Sequence, residues 1–363
     1  MKVLYFLTGL GIGGIGKFVG DVVRNFDTSV ELTTIALGNE ENELAKELSQ
    51  KGHLICFPKW SIEVLKRVKA ELCSQKYDVV HVHAGFWSFI ILQIAKKQKV
   101  PVRIAHSHSA DSFSDLSGIP KLIYLSSRIA NHFVVTHYFA CSDHACIRTF
   151  GKKVLESQSY YRILNPVDDS FFTPLSNNLI RDEFNIPDDA IIACHVGYFG
   201  FHKNHDFILT LAERMRDEKV WWILVGNGNR FEHYLTITKA KKLSKVVLTG
   251  ARSDIPEILN ASDVFVFPSR LEGLGTVVME AQACGVHCII SENVTCETDV
   301  GLGLVEQIKL EKIDKWMHSI LKSKKQAVDP KQIKTLYEKK NITDSTCALY
   351  IYSLYNKFLN QRE

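Results

Sequence analysis

What the chain lacks narrows it first. No uninterrupted apolar run in its 363 residues approaches the ~20 that a membrane-spanning helix needs; the longest candidate, Phe86 to Ala95, is half that and stops at Lys96 and Lys97. Met1 to Leu7 is apolar enough to resemble the start of a signal peptide, yet no cleavage site follows and the chain runs straight into a Gly-rich turn. It is expected to be the first strand. The nine cysteines contain no Cys-x-x-Cys pair, Cys141/Cys146 and Cys284/Cys288 being the closest, and most sit in apolar runs. An odd count scattered through core segments predicts reduced thiols in a cytosolic protein. There is no internal repeat and no low-complexity segment. No nucleic-acid partner is expected.

What is present is ordinary globular composition, 46% hydrophobic and 23% charged, in a chain too long for one typical core and suited to two α/β domains. The first half alternates strand and helix with few residues to spare. Apolar runs ending at Leu7, Leu37, Phe57, His83 and His106 predict strands, and Val64, Val68 and Leu72 line one face of an intervening helix. A long loop with Asp111, Ser114 and Gly118 leads to a helix expected over 122–131. The alternation predicts a parallel sheet wrapped by helices on both faces. It breaks at Asn165, Pro166 and Asp168 and again at Pro174, then resumes to a tail expected to be helical over 311–321 and 331–361.

The most informative stretch lies between two apolar runs, 263–268 and 286–290. These predict neighbouring parallel strands with a helix from Thr276 to Cys284 between them. The strand-to-helix loop carries Glu272, Gly273 and Gly275, and Glu280 follows inside the helix. Such a loop lies at the carboxyl ends of the strands, where ligands bind, and a helix start favours phosphate. Amides near Leu274 and Thr276 would take diphosphate oxygens, Glu280 would accept from ribose hydroxyls, and Glu272 would face sugar hydroxyls. Taken with Phe267, Pro268, Ser269 and Arg270 before it and Ala281, Gln282, Ala283 and Gly285 after it, the stretch resembles the signature of the family-4 retaining glycosyltransferases, especially bacterial capsule and exopolysaccharide members. The resemblance implies an α/β protein of GT-B fold, with two Rossmann-like parallel-sheet domains facing a cleft. Residues 1–170 would bind the acceptor, 171–342 the nucleotide sugar, and helix 343–363 would pack back on the first domain.

A rival signal stands near the start. Gly11, Gly13 and Gly16 match the dinucleotide fingerprint between a strand and a helix, and Glu40 falls near the end of the second strand, where a ribose-binding acid would sit. Alone this predicts an NAD enzyme, but that leaves Glu272 and Glu280 without a purpose. The resemblance instead implies that Gly13 and Gly14 touch donor and acceptor. His106 and His108 end the fifth strand on one side of it and can both point towards the cleft, as hydrogen-bonding residues in a catalytic role. The family has one histidine here. His81 and His83 are expected to pack or hydrogen-bond, and no zinc site is expected, since no Cys or acid stands at metal spacing beside the four.

In the second half, the resemblance implies that Gly197 and Lys203 belong to the donor site, Lys203 gripping the diphosphate. The family places Arg where this chain has Tyr198, and a neutral phenol makes no bidentate phosphate contact. His202 or Arg270 could supply the missing charge. His287 stands where the family usually has Pro. Gly226 and Gly228 mark another strand-end loop, and after Gly250 the resemblance brings Arg252 towards the nucleobase. No Asp-x-Asp triplet occurs, so the metal clamp of the other large transferase fold is absent and Lys203, loop amides and a helix dipole must meet the leaving charge. No cofactor is expected.

The expected function is transfer of a sugar, with retention, from a nucleotide donor, UDP-linked by expectation, to a lipid-linked or other saccharide acceptor. The pathways implied are capsule, exopolysaccharide or O-antigen assembly. The alternatives are a nucleotide-sugar epimerase or phosphorylase of the same fold, an NAD enzyme, and a non-catalytic partner subunit, which Tyr198 favours. Charge adds a location. Residues 1–170 hold 20 Lys and Arg against 16 Asp and Glu, whereas residues 171–363 balance at 24 each. Lys96, Lys97, Lys99, Lys121, Arg128, Lys152 and Lys153 could draw the acceptor half to anionic lipid at the inner face of the cell membrane.

Overall fold

Runs of Val, Ile and aromatic residues become strands buried on both faces, and the amphipathic segments between them become the helices that cover those faces. The structure, a computed structural model, describes all residues except 11–13, 40, 109–117, 174–177, 325–328 and 362–363. The chain divides into two compact units, Met1–Pro166 with Asn341–Glu363, and Val167–Lys340.

The first unit begins with β1 (Lys2–Leu7), α1 (Gly14–Arg24), β2 (Glu31–Leu37), α2 (Glu43–Lys51), β3 (Gly52–Phe57), α3 (Ile62–Ser74) and β4 (Val79–His83). It continues with α4 (Ser88–Lys97), β5 (Val102–Ser107), α5 (Gly118–Val134), β6 (His137–Ala140), α6 (Asp143–Thr149), α7 (Lys152–Leu155) and β7 (Tyr160–Arg162). The second unit has α8 (Asn178–Phe184), β8 (Ile191–Val196), α9 (His205–Arg214), β9 (Val220–Val225), α10 (Phe231–Ala240), β10 (Val246–Gly250) and α11 (Ile255–Ala261). After β11 (Val264–Phe267), α12 (Thr276–Ala283), β12 (His287–Ser291) and β13 (Val305–Ile308) come α13 (Ile313–Lys322) and α14 (Pro330–Lys339). The last helix, α15 (Asp344–Asn360), belongs to the first unit.

The sheets run β3-β2-β1-β4-β5-β6-β7 and β10-β9-β8-β11-β12-β13, and every described pairing is parallel. Both orders reverse direction once, at β1/β4 in the first unit and at β8/β11 in the second. In the first core, Tyr5 and Leu7 of β1 meet Phe18 and Val22 of α1 and Ile351, Tyr355 and Phe358 of α15. In the second, Trp222 and Leu224 of β9 meet Ile208 and Leu211 of α9 and Trp316 of α13. Among the described residues no helix is long and apolar enough to cross a membrane.

Three elements depart from the expectations. Residues 331–361 form two helices rather than one. Asn341 adopts a left-handed φ of 57°, and Thr343 then starts α15 with a capping box, its side chain accepting from the Thr346 N–H while the Thr346 side chain accepts from the Thr343 N–H. The chain passes between its two units at this break. α5 is longer than the expected 122–131, and the short α7 after Gly151, at φ 102°, was not anticipated. Removing the cap with Thr343→Ala should cost about 1 kcal/mol, read as a lower urea midpoint by circular dichroism. An unchanged midpoint would mean that packing alone holds the start of α15.

Candidate functional site

At the β8/β11 reversal, two neighbouring strands send their following helices to opposite sides of the sheet, which opens a crevice beyond their carboxyl ends. The loops after these strands are stitched together. Asn204, left-handed at φ 58°, donates its side-chain amide to the Pro268 carbonyl at 3.0 Å. The Arg270 N–H donates to the His202 carbonyl at 2.7 Å, and the Arg270 guanidinium lies 4.3 Å over the Phe201 ring and donates to the Phe201 carbonyl at 2.9 Å. Between the two loops, Lys203 Nζ donates to Glu272 Oε1 at 2.7 Å and sits 4.6 Å from the centre of the Phe267 ring. Their side chains are 20% and 10% exposed, so water screens this pair only in part.

Small residues make this convergence possible. A Cβ on Gly197 would lie 3.2 Å from both Cδ and Cε of Lys203, whose chain passes across it. A Cβ on Gly226 would be 2.0 Å from the Gly197 carbonyl oxygen, and one on Gly228 2.6 Å from that of Phe199. The loop after β9 therefore lies directly on the loop after β8, where the Phe199 N–H donates to the Asn227 carbonyl at 3.0 Å. Gly275, left-handed at φ 85°, immediately precedes α12, so the positive end of that helix dipole lies at the loop that carries Gly273. Leu274 is buried. Glu280, in the second turn of α12, is 7% exposed.

Two histidines that the sequence did not single out lie beneath Lys203. His195 is buried and bonds through Nδ1 to the Val266 carbonyl at 2.9 Å, and burial holds its pKa well below the ordinary value. His205 stacks on Phe199 with ring centres 3.9 Å apart, and burial, then the charge of Lys203, lowers its pKa to about 4. Both are neutral at pH 7, so Lys203 meets no second cation below it. Alternation along β8 would have turned His195 inward; nothing in the spacing paired it with position 203.

Other expected site residues fall elsewhere. Tyr198 is 60% exposed, and its hydroxyl accepts from the Asn229 N–H at 3.2 Å. His202 is exposed, and His287 is hydrogen-bonded to Ser323 at 2.9 Å. Four of the five N–H donors of Arg252 are already engaged by carboxylates. Its guanidinium is held by Glu183 at 2.5 and 3.0 Å and by Asp254 at 2.8 and 2.6 Å, a clamp between α8 and the start of α11. Gly13, Gly11 and Glu40 lie outside the described residues, as do Asp111 and Ser114; Gly14 is the first residue of α1.

His106 is fully buried, with Phe18 of α1 packed against its ring at 4.9 Å. It closes a chain in which Tyr5 and Tyr355 hydroxyls meet at 2.9 Å, Tyr355 meets His81 Nδ1 at 2.6 Å, and His81 Nε2 meets His106 Nδ1 at 3.1 Å. One proton per hydrogen bond satisfies that chain with both imidazoles neutral. His83 Nδ1 pairs with His108 Nε2 at 2.8 Å, and His108 is the partly exposed member. His81, His83 and His106 bring ring nitrogens within 4.8 Å of one another, a metal-like spacing, yet His81 engages both of its nitrogens with Tyr355 and His106. Burial lowers all four pKa values, that of His108 to about 3.

Residues 176–300 match the family of glycosyl transferases group 1. Over 340 residues the chain is 30% identical to EpsF of Bacillus subtilis (strain 168), assigned as a glycosyltransferase, covering 89% of this chain and 87% of EpsF. It is 28% identical over 236 residues, 61% of this chain and 59% of the relative, to the Escherichia coli UDP-Gal:alpha-D-GlcNAc-diphosphoundecaprenol alpha-1,3-galactosyltransferase. Among solved structures, Anabaena HepE in complex with UDP superposes with a TM-score of 0.78 at 15% identity, covering 98% of this chain and all of HepE, which establishes a shared fold. The two parallel-sheet units are those of a GT-B glycosyltransferase. This chain belongs to the group 1 glycosyltransferase family.

A consequence for stability follows from the histidines. The unfolded chain protonates them near pH 6.5, whereas His205 and His108 resist protonation down to about 4 and about 3 when folded. Below pH 6.5 the unfolded state therefore binds more protons, and stability falls with pH by about 1.4 kcal/mol per unit for each such histidine. Urea midpoints should be level from pH 7.5 to 6.5 and drop towards pH 5. A level profile down to pH 5 would contradict the neutral cluster.

Proposed function

We propose that this glycosyltransferase moves a sugar, with retention and without a metal clamp, from a UDP-sugar to a lipid-linked glycan acceptor. The setting would be capsule, exopolysaccharide or O-antigen assembly at the inner face of the cell membrane, with contact to anionic lipid. The observation that carries this is the Lys203–Glu272 contact at the β8/β11 reversal, beside the start of α12. A diphosphate arriving there would compete with Glu272 for the ammonium group and leave that carboxylate to accept from sugar hydroxyls. Gly197, Gly273, Leu274, Gly275 and Thr276 would bring backbone to the phosphates, and Glu280 would take the ribose. The bond from the anomeric carbon to the phosphate oxygen breaks as the acceptor oxygen attacks from the same face, and the acceptor proton ends on the departing UDP. Lys203 and the α12 dipole stabilise the charge that develops on that phosphate.

The UDP in HepE and the UDP-galactose and diphosphoundecaprenol in the name of the E. coli relative support the choice of donor and acceptor classes. Tyr198 favours one competitor, a partner subunit without activity of its own, because the cleft lacks the family's second cation at that position.

With purified enzyme, Glu272→Ala and Glu280→Ala should each lower transfer by at least ~10²-fold, as expected for loss of a transition-state contact. Because Glu280 is buried, Glu280→Gln provides a variant that preserves volume. Unchanged turnover in these variants would sink the assignment, and an inactive wild-type chain that stimulates another transferase would favour the partner subunit. Tyr198→Arg should tighten UDP by ~1–3 kcal/mol in calorimetry; equal or weaker binding would show that another group already serves the diphosphate.

A further inference from the structure

α5 exposes an apolar stripe that a helix on a solvated surface does not need. Its inward positions are Tyr124, Ser127, Asn131 and Val134, all buried. The two polar ones donate to the helix's own carbonyls, Ser127 to Tyr124 at 2.7 Å and Asn131 to Ser127 at 3.0 Å. Its outward positions are large and apolar: Leu122 is 65% exposed, Leu125 44%, Ile129 64% and Phe133 67%. These recur at helical spacing and form one stripe. From Ile129 and Phe133 the apolar surface continues into a groove of about 440 Å³ that Phe150 and Val154 also line. A solvated helix has no reason to expose such a stripe, and an apolar patch of this kind marks a surface that something covers.

The charge around the stripe says what covers it. α4, α5 and α7 contain no acidic residue. From residue 79 to residue 142 the sequence has six Lys and Arg against two Asp. Lys96 donates to the Phe133 carbonyl at 2.9 Å, which anchors a cation at the end of α5. Lys97, Lys152 and Lys153 are exposed on α4 and α7, and Arg128 and Lys153 share in lining the groove. A second copy of the chain docked on the same face would set these cations against themselves. An anionic bilayer meets both features, headgroup phosphates taking the Lys and Arg and the acyl boundary taking the apolar stripe.

The geometry points to α5 as an interfacial helix that lies in the plane of an anionic lipid bilayer and inserts Leu122, Leu125, Ile129 and Phe133. Its sense within the reaction rests on the acceptor being lipid-linked, as proposed above; the docking itself needs neither donor nor acceptor.

Co-sedimentation of the full chain with vesicles containing phosphatidylglycerol, against vesicles of phosphatidylcholine alone, tests this. The wild type should pellet with the anionic vesicles and less so at about 1 M salt. Ile129→Ser combined with Phe133→Ser should lower the bound fraction at least ~10-fold, because two large apolar insertions are lost. Lys97→Glu with Lys152→Glu and Lys153→Glu should remove the preference for anionic lipid. Both sets change exposed side chains, so melting temperature and UDP binding should stay as in the wild type. Equal recovery of the wild type and the Ile129/Phe133 variant would overturn the proposal. So would a dimer on a sizing column that the same variant splits while vesicle recovery is unchanged, since a second copy would then cover the face. Loss of UDP binding with vesicle binding intact would count against the donor assignment instead.

Discussion

A parallel sheet covered by helices on both faces has one place for chemistry, the edge where its strands end. Both units of this chain are built that way, so polar side chains on the strands either reach that edge or must be satisfied inside. Lys203 and Glu272 take the first course, supplied by loops that leave adjacent strands at the point where strand order reverses. His81 takes the second, with both ring nitrogens engaged in a chain of hydrogen bonds that runs from Tyr5 and Tyr355 to His106. The same constraint thus produces a part-buried ion pair at the strand ends of one unit and an uncharged polar cluster inside the other.

At the β8/β11 edge the arrangement is fixed by its neighbours. Lys203 lies over the Phe267 ring, its aliphatic chain crosses Gly197, and the neutral His195 and His205 beneath it add no opposing charge. A cation fixed in this way costs little to reorient when phosphate charge develops, which is the property that makes electrostatic stabilisation effective. The tie to Glu272 joins the loop after β8 to the loop after β11 at this point. Arg252, by contrast, already gives four of its five N–H donors to Glu183 and Asp254 and ties α8 to the start of α11.

Much of this was legible in the sequence because it is carried by local pattern. The alternation of apolar runs gave the strand order its raw material, and the stretch from Val264 to Ser291 announced a strand, a glycine-bearing loop and a helix from its own residues. What local pattern hides is cover and partnership. Alternation puts His106 on a definite side of β5, but whether that side is open depends on Phe18 and on the neighbouring His81, itself bonded to Tyr355 on a helix more than 270 residues further along. Arg252 sits in the expected loop, yet its carboxylate partner Glu183 lies 69 positions earlier. The division of the tail into α14 and α15 left a signal at Asn341 and Thr343, masked because the helical pattern continues on both sides. The exposed face of α5 was invisible for the opposite reason: its apolar residues look like a core until the structure shows Ser127 and Asn131 turned inward in their place.

The account stands on Lys203 being the cation that receives a donor diphosphate at the β8/β11 crevice, and calorimetric titration of the wild type and of Lys203→Ala with UDP, with NAD as control, measures this directly. UDP should bind the wild type and NAD should not, and Lys203→Ala should weaken UDP at least ~10-fold, as expected when a charged hydrogen bond is lost. Wild-type protein that ignores UDP, or UDP binding that is the same without the Lys203 side chain, would contradict it.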